Sequence, residues 1–469
     1  MRSVVQIFIL IAVFVSGCST YTSRTSAMRT MWLRGNTPAS EKLAEAVADD
    51  SDNTDALIWS LEQGAVYRAN ANFAKSIASF EKAHTLIEKF DSQPDTKISE
   101  ETAAFFANQT YMSYRGYHYD RIMLCVYQAL NFIETKNFER ATVEIRRLQN
   151  FQDDAKHKNL SRIETKERAV QRAKNADKKL TKANISNSVI DAKLKSIYGG
   201  VYNNSSALQQ AKSLYVNPFG YWLSGIYFAN RAQSQSDKEQ GAALLRICAE
   251  MLGGKSSFVS ADAMSAEMSA DGKSDSFGNI TYVVFETGIA PIRKQIRLDL
   301  PIYIFSGNAP HIAVNFPYLS PQQSFRKSIR IRADDKDIGL ETISDMDEII
   351  SEEFNIELPY VITRTLLSAA SKATAEYFAA RAVGDYGFLV HAASGIYQSA
   401  FNNADLRTWQ TLPKQIKIAR INTPKNCKIF VENTPVSVSS KGVNIIYVKS
   451  MSASGNVIMR TFNFLDNKN

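Results

Sequence analysis

Cysteine, histidine and tryptophan are scarce in this chain of 469 residues, at 4, 5 and 4. The histidines (His84, His118, His157, His311 and His391) are scattered. None pair at i, i+4, the spacing that sets two imidazoles on one helical face around zinc, so a zinc peptidase or metal amidase is not expected. The cysteines fit no metal template, and setting aside Cys18 leaves an odd three (Cys125, Cys248 and Cys427), so buried thiols are expected rather than a disulfide framework. There is no Gly-x-x-x-x-Gly-Lys phosphate loop and no Gly-x-Ser-x-Gly elbow. Ser79-Phe80-Glu81-Lys82 has the Ser-x-x-Lys spacing of penicillin-recognising enzymes, but the companion Lys-Thr-Gly box is missing and Phe80 reads as core. With no catalytic constellation, the chain is expected not to be an enzyme. Beyond the first residues no stretch approaches roughly 18 uninterrupted apolar residues, so no later membrane span is expected.

What is present begins at the N-terminus. Arg2 precedes a largely apolar run, Val4 to Val15, shorter than the roughly 20 residues of a bilayer crossing. Val15-Ser16-Gly17-Cys18 resembles the bacterial lipobox. That resemblance implies a signal peptide over residues 1–17, cleavage before Cys18, and a diacylglycerol and an N-acyl chain such as palmitate carried by Cys18. Several chains suffice for stable anchoring. Ser19, where inner-membrane retention would use aspartate, points to the outer membrane and its periplasmic face. An ordinary cleaved signal, or a membrane helix with a chance cysteine, is the alternative. No other cofactor is expected.

The chain is 45% hydrophobic and 22% charged, as expected of two or three globular domains. Its net charge of +8 arises mostly from residues 155–184, where ten Lys or Arg face Glu164, Glu167 and Asp177. This segment reads either as a solvated helical arm or as a patch for a glycan, an anionic lipid surface or an acidic partner. Nucleic acid is not expected, since no recognition motif accompanies the charge.

The first half is helical and repetitive. Gly64, Tyr67, Phe73, Ser76, Phe80 and Ala83 follow the small-and-aromatic pattern of a tetratricopeptide repeat, and Ala129, Phe132, Phe138, Ala141, Ile145 and Leu148 give a second copy. A half-copy turns at Gly35-Asn36, a fourth unit starts at Trp222, Gly225 and Phe228, and an irregular helix pair is expected over 100–121. Residues 256–278 are rich in Ser, Ala, Asp and Gly and read as a linker. Beyond them the periodicity becomes two, with strands expected at 280–286, 295–300, 312–316, 328–332, 415–421, 427–432, 443–448 and 457–464, the last pair turning at Gly455-Asn456. A helical insertion is expected over 345–402, interrupted at Pro359. The expected fold is thus α+β and multidomain: a tetratricopeptide-like α-solenoid over 18–255, then a β-sandwich-like domain over 279–469 with an inserted helical hairpin.

Several stretches carry a family resemblance. Tyr114-Arg115-Gly116-Tyr117-His118-Tyr119-Asp120-Arg121, Val143-Glu144-Ile145-Arg146-Arg147, Asn217-Pro218-Phe219, Phe285-Glu286-Thr287-Gly288-Ile289-Ala290-Pro291 and Asp405-Leu406-Arg407-Thr408-Trp409 resemble an uncharacterised family of bacterial outer-membrane lipoproteins. The family pairs a tetratricopeptide-like half with a β-rich domain, and the resemblance implies a place in envelope assembly. Candidate binding residues are Tyr114, Tyr117, His118, Tyr119, Arg146, Arg147, Glu286, Arg293, Asp405, Arg407 and Trp409. Tyrosines can stack on sugars and peptides, although Tyr111, Tyr114 and His118 would share one face of a helix and could equally be core. Glu286 and Arg293 are expected to pair or cap a loop, and Asp405, Arg407 and Trp409 to form an internal bridge or anchor. Asp52 or Thr54 is expected to cap the helix after the Asp-rich loop 49–55. The function expected is a membrane-anchored protein-binding scaffold of the cell envelope. A glycan-binding surface lipoprotein is the second reading, and a peptidoglycan-acting enzyme the third.

Overall fold

The computed structural model describes residues 21–48, 54–92, 112–157, 164–165, 168, 188–199, 216–273, 278–301, 311–382 and 403–465. Cys18, most of the basic 155–184 segment and the tail of the expected insertion (383–402) lie outside the described residues.

Six helices form three consecutive hairpins: α1 (Tyr21–Leu33) with α2 (Thr37–Ala48), α3 (Ala56–Ala69) with α4 (Phe73–Asp91), and α5 (His118–Glu134) with α6 (Phe138–His157). One turn chemistry closes all three. Gly35, Ala71 and Lys136 adopt the left-handed conformation, with φ of 70°, 57° and 60°. The amide of the asparagine that follows reaches back into the finished helix, Asn36 to the Met31 carbonyl at 3.0 Å, Asn72 to Tyr67 at 2.9 Å and Asn137 to Phe132 at 2.8 Å. This satisfies carbonyls that a helix end leaves without partners. Asn36 and Asn137 then cap the next helix, accepting through Oδ1 from the amides of Ala39 and Arg140, each at 3.2 Å. Between helices α3 and α4 there is no room for a side chain at Gly64, where a Cβ would stand 2.2 Å from the Phe80 ring. The Gly64 carbonyl there accepts from Ser76 Oγ at 2.7 Å. Gly64→Ala is therefore expected to cost about 1–3 kcal/mol in urea unfolding despite alanine's better helix propensity. A second change, Phe80→Leu, should recover part of that loss.

Helix α7 (Ser188–Tyr198) is followed by α8 (Pro218–Arg231), α9 (Gln235–Met251) and α10 (Ser257–Ala270). Gly225 lets α8 and α9 cross closely, since a Cβ there would meet Leu245 Cγ at 2.6 Å. Helix α10 occupies most of the stretch expected to be a linker. Ser256 Oγ caps it by accepting from the Val259 amide, and Phe258, Val259, Ala263 and Ala266 are buried. Small residues that read as loop by composition here allow close packing against α9.

The strands are β1 (Ile280–Thr287), β2 (Ile292–Pro301), β3 (His311–Ser320), β4 (Ile331–Ala333), β5 (Lys336–Asp337), β6 (Glu341–Asp345), β7 (Gln415–Asn422), β8 (Lys428–Val431), β9 (Thr434–Ser437), β10 (Val443–Ser450) and β11 (Val457–Asn463). They form a five-stranded sheet β11-β10-β1-β7-β6, a four-stranded sheet β5-β4-β8-β9 and a ribbon β2-β3. Central β1 runs parallel to β10 and antiparallel to β7. Its alternation sorts two cores. Tyr282 and Val284, with Ile416, Ile418, Ile445 and Tyr447, join the helical core, whereas Val283 and Phe285 join Ile331, Ile429 and Val431 of the four-stranded sheet. The chain is thus mixed α and β, and one continuous core spans the helices and the central sheet instead of dividing at residues 256–278.

Helix α11 (Met346–Ala382) runs without a break through Pro359, where an interruption was expected. Proline removes one backbone donor, but Phe354, Leu358, Ile362 and Leu366 hold the helix against Val314 and Phe316 of the ribbon. Cys125 and Cys248 are free buried thiols, whereas Cys427 is half-buried in a left-handed turn before β8 and not in a strand. Among the described residues no helix is long and apolar enough to cross a membrane.

Candidate functional site

Residues Ser113–Tyr117 are not helical, and Gly116 takes the left-handed conformation with φ of 75°, so Tyr114 and His118 do not share a helix face; Tyr111 lies outside the described residues. The chain enters α5 through a turn fixed by Asp120. Its Oδ2 accepts from the Tyr117 amide at 2.9 Å and the Tyr114 hydroxyl at 2.5 Å. Glu353 of α11 closes the same helix end. Its Oε1 accepts from the His118 amide at 3.0 Å and lies 3.1 Å from His118 Nδ1, and its Oε2 accepts from the Tyr119 amide at 3.4 Å. A carboxylate suits the positive end of the helix dipole.

Around this turn the rings and guanidiniums assemble. Tyr117 stacks on Tyr119 with centroids 5.3 Å apart and meets Tyr114 edge-on at 5.8 Å. Arg293 of β2 lies over the Tyr117 ring at 4.2 Å. Arg407 binds both oxygens of Asp405, at 2.9 and 2.7 Å, and reaches Asp55 Oδ1 at 3.0 Å and the Met112 carbonyl at 2.8 Å. Asp55, not Asp52 or Thr54, is thus the cap residue of α3, and its carboxylate serves Arg407. Between these groups opens a cavity of about 220 Å³, lined by Met112–Tyr117, Arg364, Asp405 and Arg407.

Tyr114, Tyr117, His118, Tyr119, Arg293, Asp405 and Arg407 are therefore brought to one place from three distant parts of the sequence. The other candidates go elsewhere. Arg146 pairs with Asp237 at 3.2 Å and Arg147 with Glu144 at 2.7 Å. Glu286 does not pair with Arg293 but with Lys449 Nζ at 2.7 Å, deep in the core, and it also accepts from the Tyr127 hydroxyl at 3.1 Å. Trp409 is fully buried beside Phe80 and Tyr127 and is an anchor. Sequence reasoning missed Glu353 and Arg364. Their signal was the stripe Glu353, Glu357, Tyr360 and Arg364 at i, i+4, i+7 and i+11 of one helix.

Burial sets the local electrostatics. It pulls the Arg364 guanidinium below its ordinary value, with Tyr360 opposing. It also opposes ionisation of Asp405, yet the Arg407 guanidinium prevails and holds that carboxyl below the usual range. Burial pushes Asp120 up to about 7, against the donors Tyr114 and Tyr117. It raises Glu62 likewise to about 7, although Tyr21, Thr411 and the backbone of Gln410 and Thr411 all donate to it, and Asp262 to about 6. These three carboxyls keep protons in the folded chain over a range where the unfolded chain has released them. Stability should therefore fall as pH rises from about 4 to 7, and the melting temperature should be lower at pH 8 than at pH 5 by on the order of 5 °C. Thermal scans across that range check this; a melting temperature that rises with pH would contradict it.

Comparison of the chain with known protein families, with curated proteins and with solved structures finds no match.

Proposed function

We propose that the chain is a lipid-anchored protein of the bacterial outer membrane, facing the periplasm, that works as a protein-binding scaffold in envelope biogenesis. Its binding site is the tyrosine and arginine cleft, and the partner supplies an anionic stretch. The observation that carries this reading is the cleft itself. Arg115, Arg364 and Arg407 line it beside Asp405, both of whose oxygens are taken by Arg407, which also reaches Asp55 from the side. Arginine forks suit peptide carboxylates.

The Asn-closed hairpins support a tetratricopeptide-like array, which offers extended surfaces to peptides. The two facing sheets support a sandwich-like unit with α11 as its helical insertion. The Tyr114, Tyr117 and Tyr119 rings contact one another and two arginines, which leaves little ring face for a sugar and favours a protein partner over a glycan. The basic 155–184 segment would add contact with an anionic surface. Cys18 would carry the anchor, so metabolic palmitate labelling should be lost in Cys18→Ser.

The test of binding is affinity capture from detergent-solubilised envelopes with the full chain and with an Arg115→Gln/Arg364→Gln variant. One envelope protein should be enriched about tenfold less by the variant, as expected for lost charge-assisted contacts. Equal enrichment by both chains, or none by either, would remove the reading.

A further inference from the structure

The helical core holds a group of metal-ligating side chains away from the cleft. His84 of α4, Cys125 of α5 and Glu144 of α6 are all buried, and His84 Nε2 or Nδ1, Cys125 Sγ and a Glu144 oxygen lie within 4.8 Å of one another. Each comes from a different helix of two adjoining hairpins, so their positions are set by packing and not by a loop. His84 Nε2 stands 3.0 Å from Glu144 Oε2. The other oxygen of that carboxylate, Oε1, accepts from Arg147 Nη1 at 2.7 Å.

We propose that His84, Cys125 and Glu144 form a binding site for a divalent zinc-class cation, with a water as fourth ligand. Bonds of about 2.0–2.3 Å in a tetrahedron place ligand atoms roughly 3.3–3.8 Å apart, so the cluster needs shifts of less than about 1 Å. The donor set of one nitrogen, one sulfur and one oxygen suits a borderline-soft ion rather than magnesium or calcium. On binding, Cys125 releases its thiol proton to solvent, His84 enters as neutral imidazole, and thiolate and carboxylate together balance the dication. Arg147 orients the carboxylate from outside, as outer partners of metal ligands commonly do. The arginine is about one-third exposed and also reaches Glu88 at 3.6 Å on the rim, so its displacement opens a path for the ion. Sequence spacing hides this site, because residues 84, 125 and 144 match no linear template and meet only once three helices pack.

The test is titration of the metal-stripped full chain with cobalt(II), whose bond to a thiolate gives a charge-transfer absorption in the near ultraviolet. The expected result is uptake of one ion per chain with that absorption, its loss on adding zinc, and its absence in Cys125→Ser. Affinity should fall about 10–100-fold in Arg147→Ala, which keeps all three ligands. The folded wild-type chain decides the matter by itself. If one equivalent of cobalt gives no thiolate absorption, His84 and Glu144 are only a buried hydrogen-bonded pair beside a thiol, and the proposal is overturned. Persistence of the absorption in Cys125→Ser would overturn it equally.

Discussion

Lys449→Met lowers the stability of the fold by about 3–5 kcal/mol in urea unfolding, the largest single effect expected in the core. Methionine fills nearly the same space, so packing is kept and the loss isolates the charge. Lys449 Nζ sits 2.7 Å from Glu286 Oε2 and 3.2 Å from the Tyr127 hydroxyl, with both charged side chains almost wholly buried. Burial pulls the ammonium below its ordinary value while Glu286 opposes. Removing it leaves the Glu286 carboxylate on the helix-facing side of β1 without its closest counterion, with only the Tyr127 hydroxyl and the more distant charge of Arg68 to stabilise it. The sign of a second change follows. Adding Glu286→Gln should recover most of the loss, because a neutral amide can keep the Tyr127 contact and tolerates the dry site. A single substitution costing less than about 1 kcal/mol would mean that the pair contributes little to joining sheet and helices.

Arg407→Ala comes next, at about 2–4 kcal/mol, reduced from a fully buried case because Asp55 and Asp405 keep some exposure. One guanidinium holds three segments: the start of α3 through Asp55, the approach to α5 through the Met112 carbonyl, and its own strap through Asp405. Arg407→Lys should rescue little, since an ammonium lacks the planar fork that reaches all of them at once. The variant should also bind the partner less well, as the Tyr114 ring under Arg407 loses its lid. Urea unfolding beside partner capture separates the two effects. Full stability in Arg407→Lys would show that charge alone, and not the fork, ties the strap.

Local chemistry made much of the fold legible in the sequence. The turn at Gly35-Asn36 could be read because a left-handed residue followed by a capping asparagine leaves a signature within a few positions. The periodicity of two in 280–286 and 443–448 likewise marked strands whose two faces meet different cores. What could not be read depends on contacts distant in sequence. Helix α10 looked like a linker because its small side chains signal a loop unless a neighbour such as α9 packs on them. Pro359 looked like a break because the ribbon that supports α11 is brought to it only by folding. Glu286, expected to pair with nearby Arg293 or to cap the loop between them, is turned by β1 toward Lys449 of β10 instead. In the cleft, tyrosines and the Asp405–Arg407 pair were visible as types, whereas Arg364 and Glu353 gain meaning only when α11 crosses the start of α5.

A partner that docks in this cleft should be reachable from its wall. The most direct measurement places a photo-crosslinking amino acid at half-buried Ser113, which lines the cleft without carrying its charge, in cells making the full chain. Irradiation should give a crosslink to one envelope protein, and the same crosslink should vanish when Arg364→Gln is added while the chain stays folded. A crosslink that survives Arg364→Gln unchanged, or none to any protein, would mean that no partner docks here.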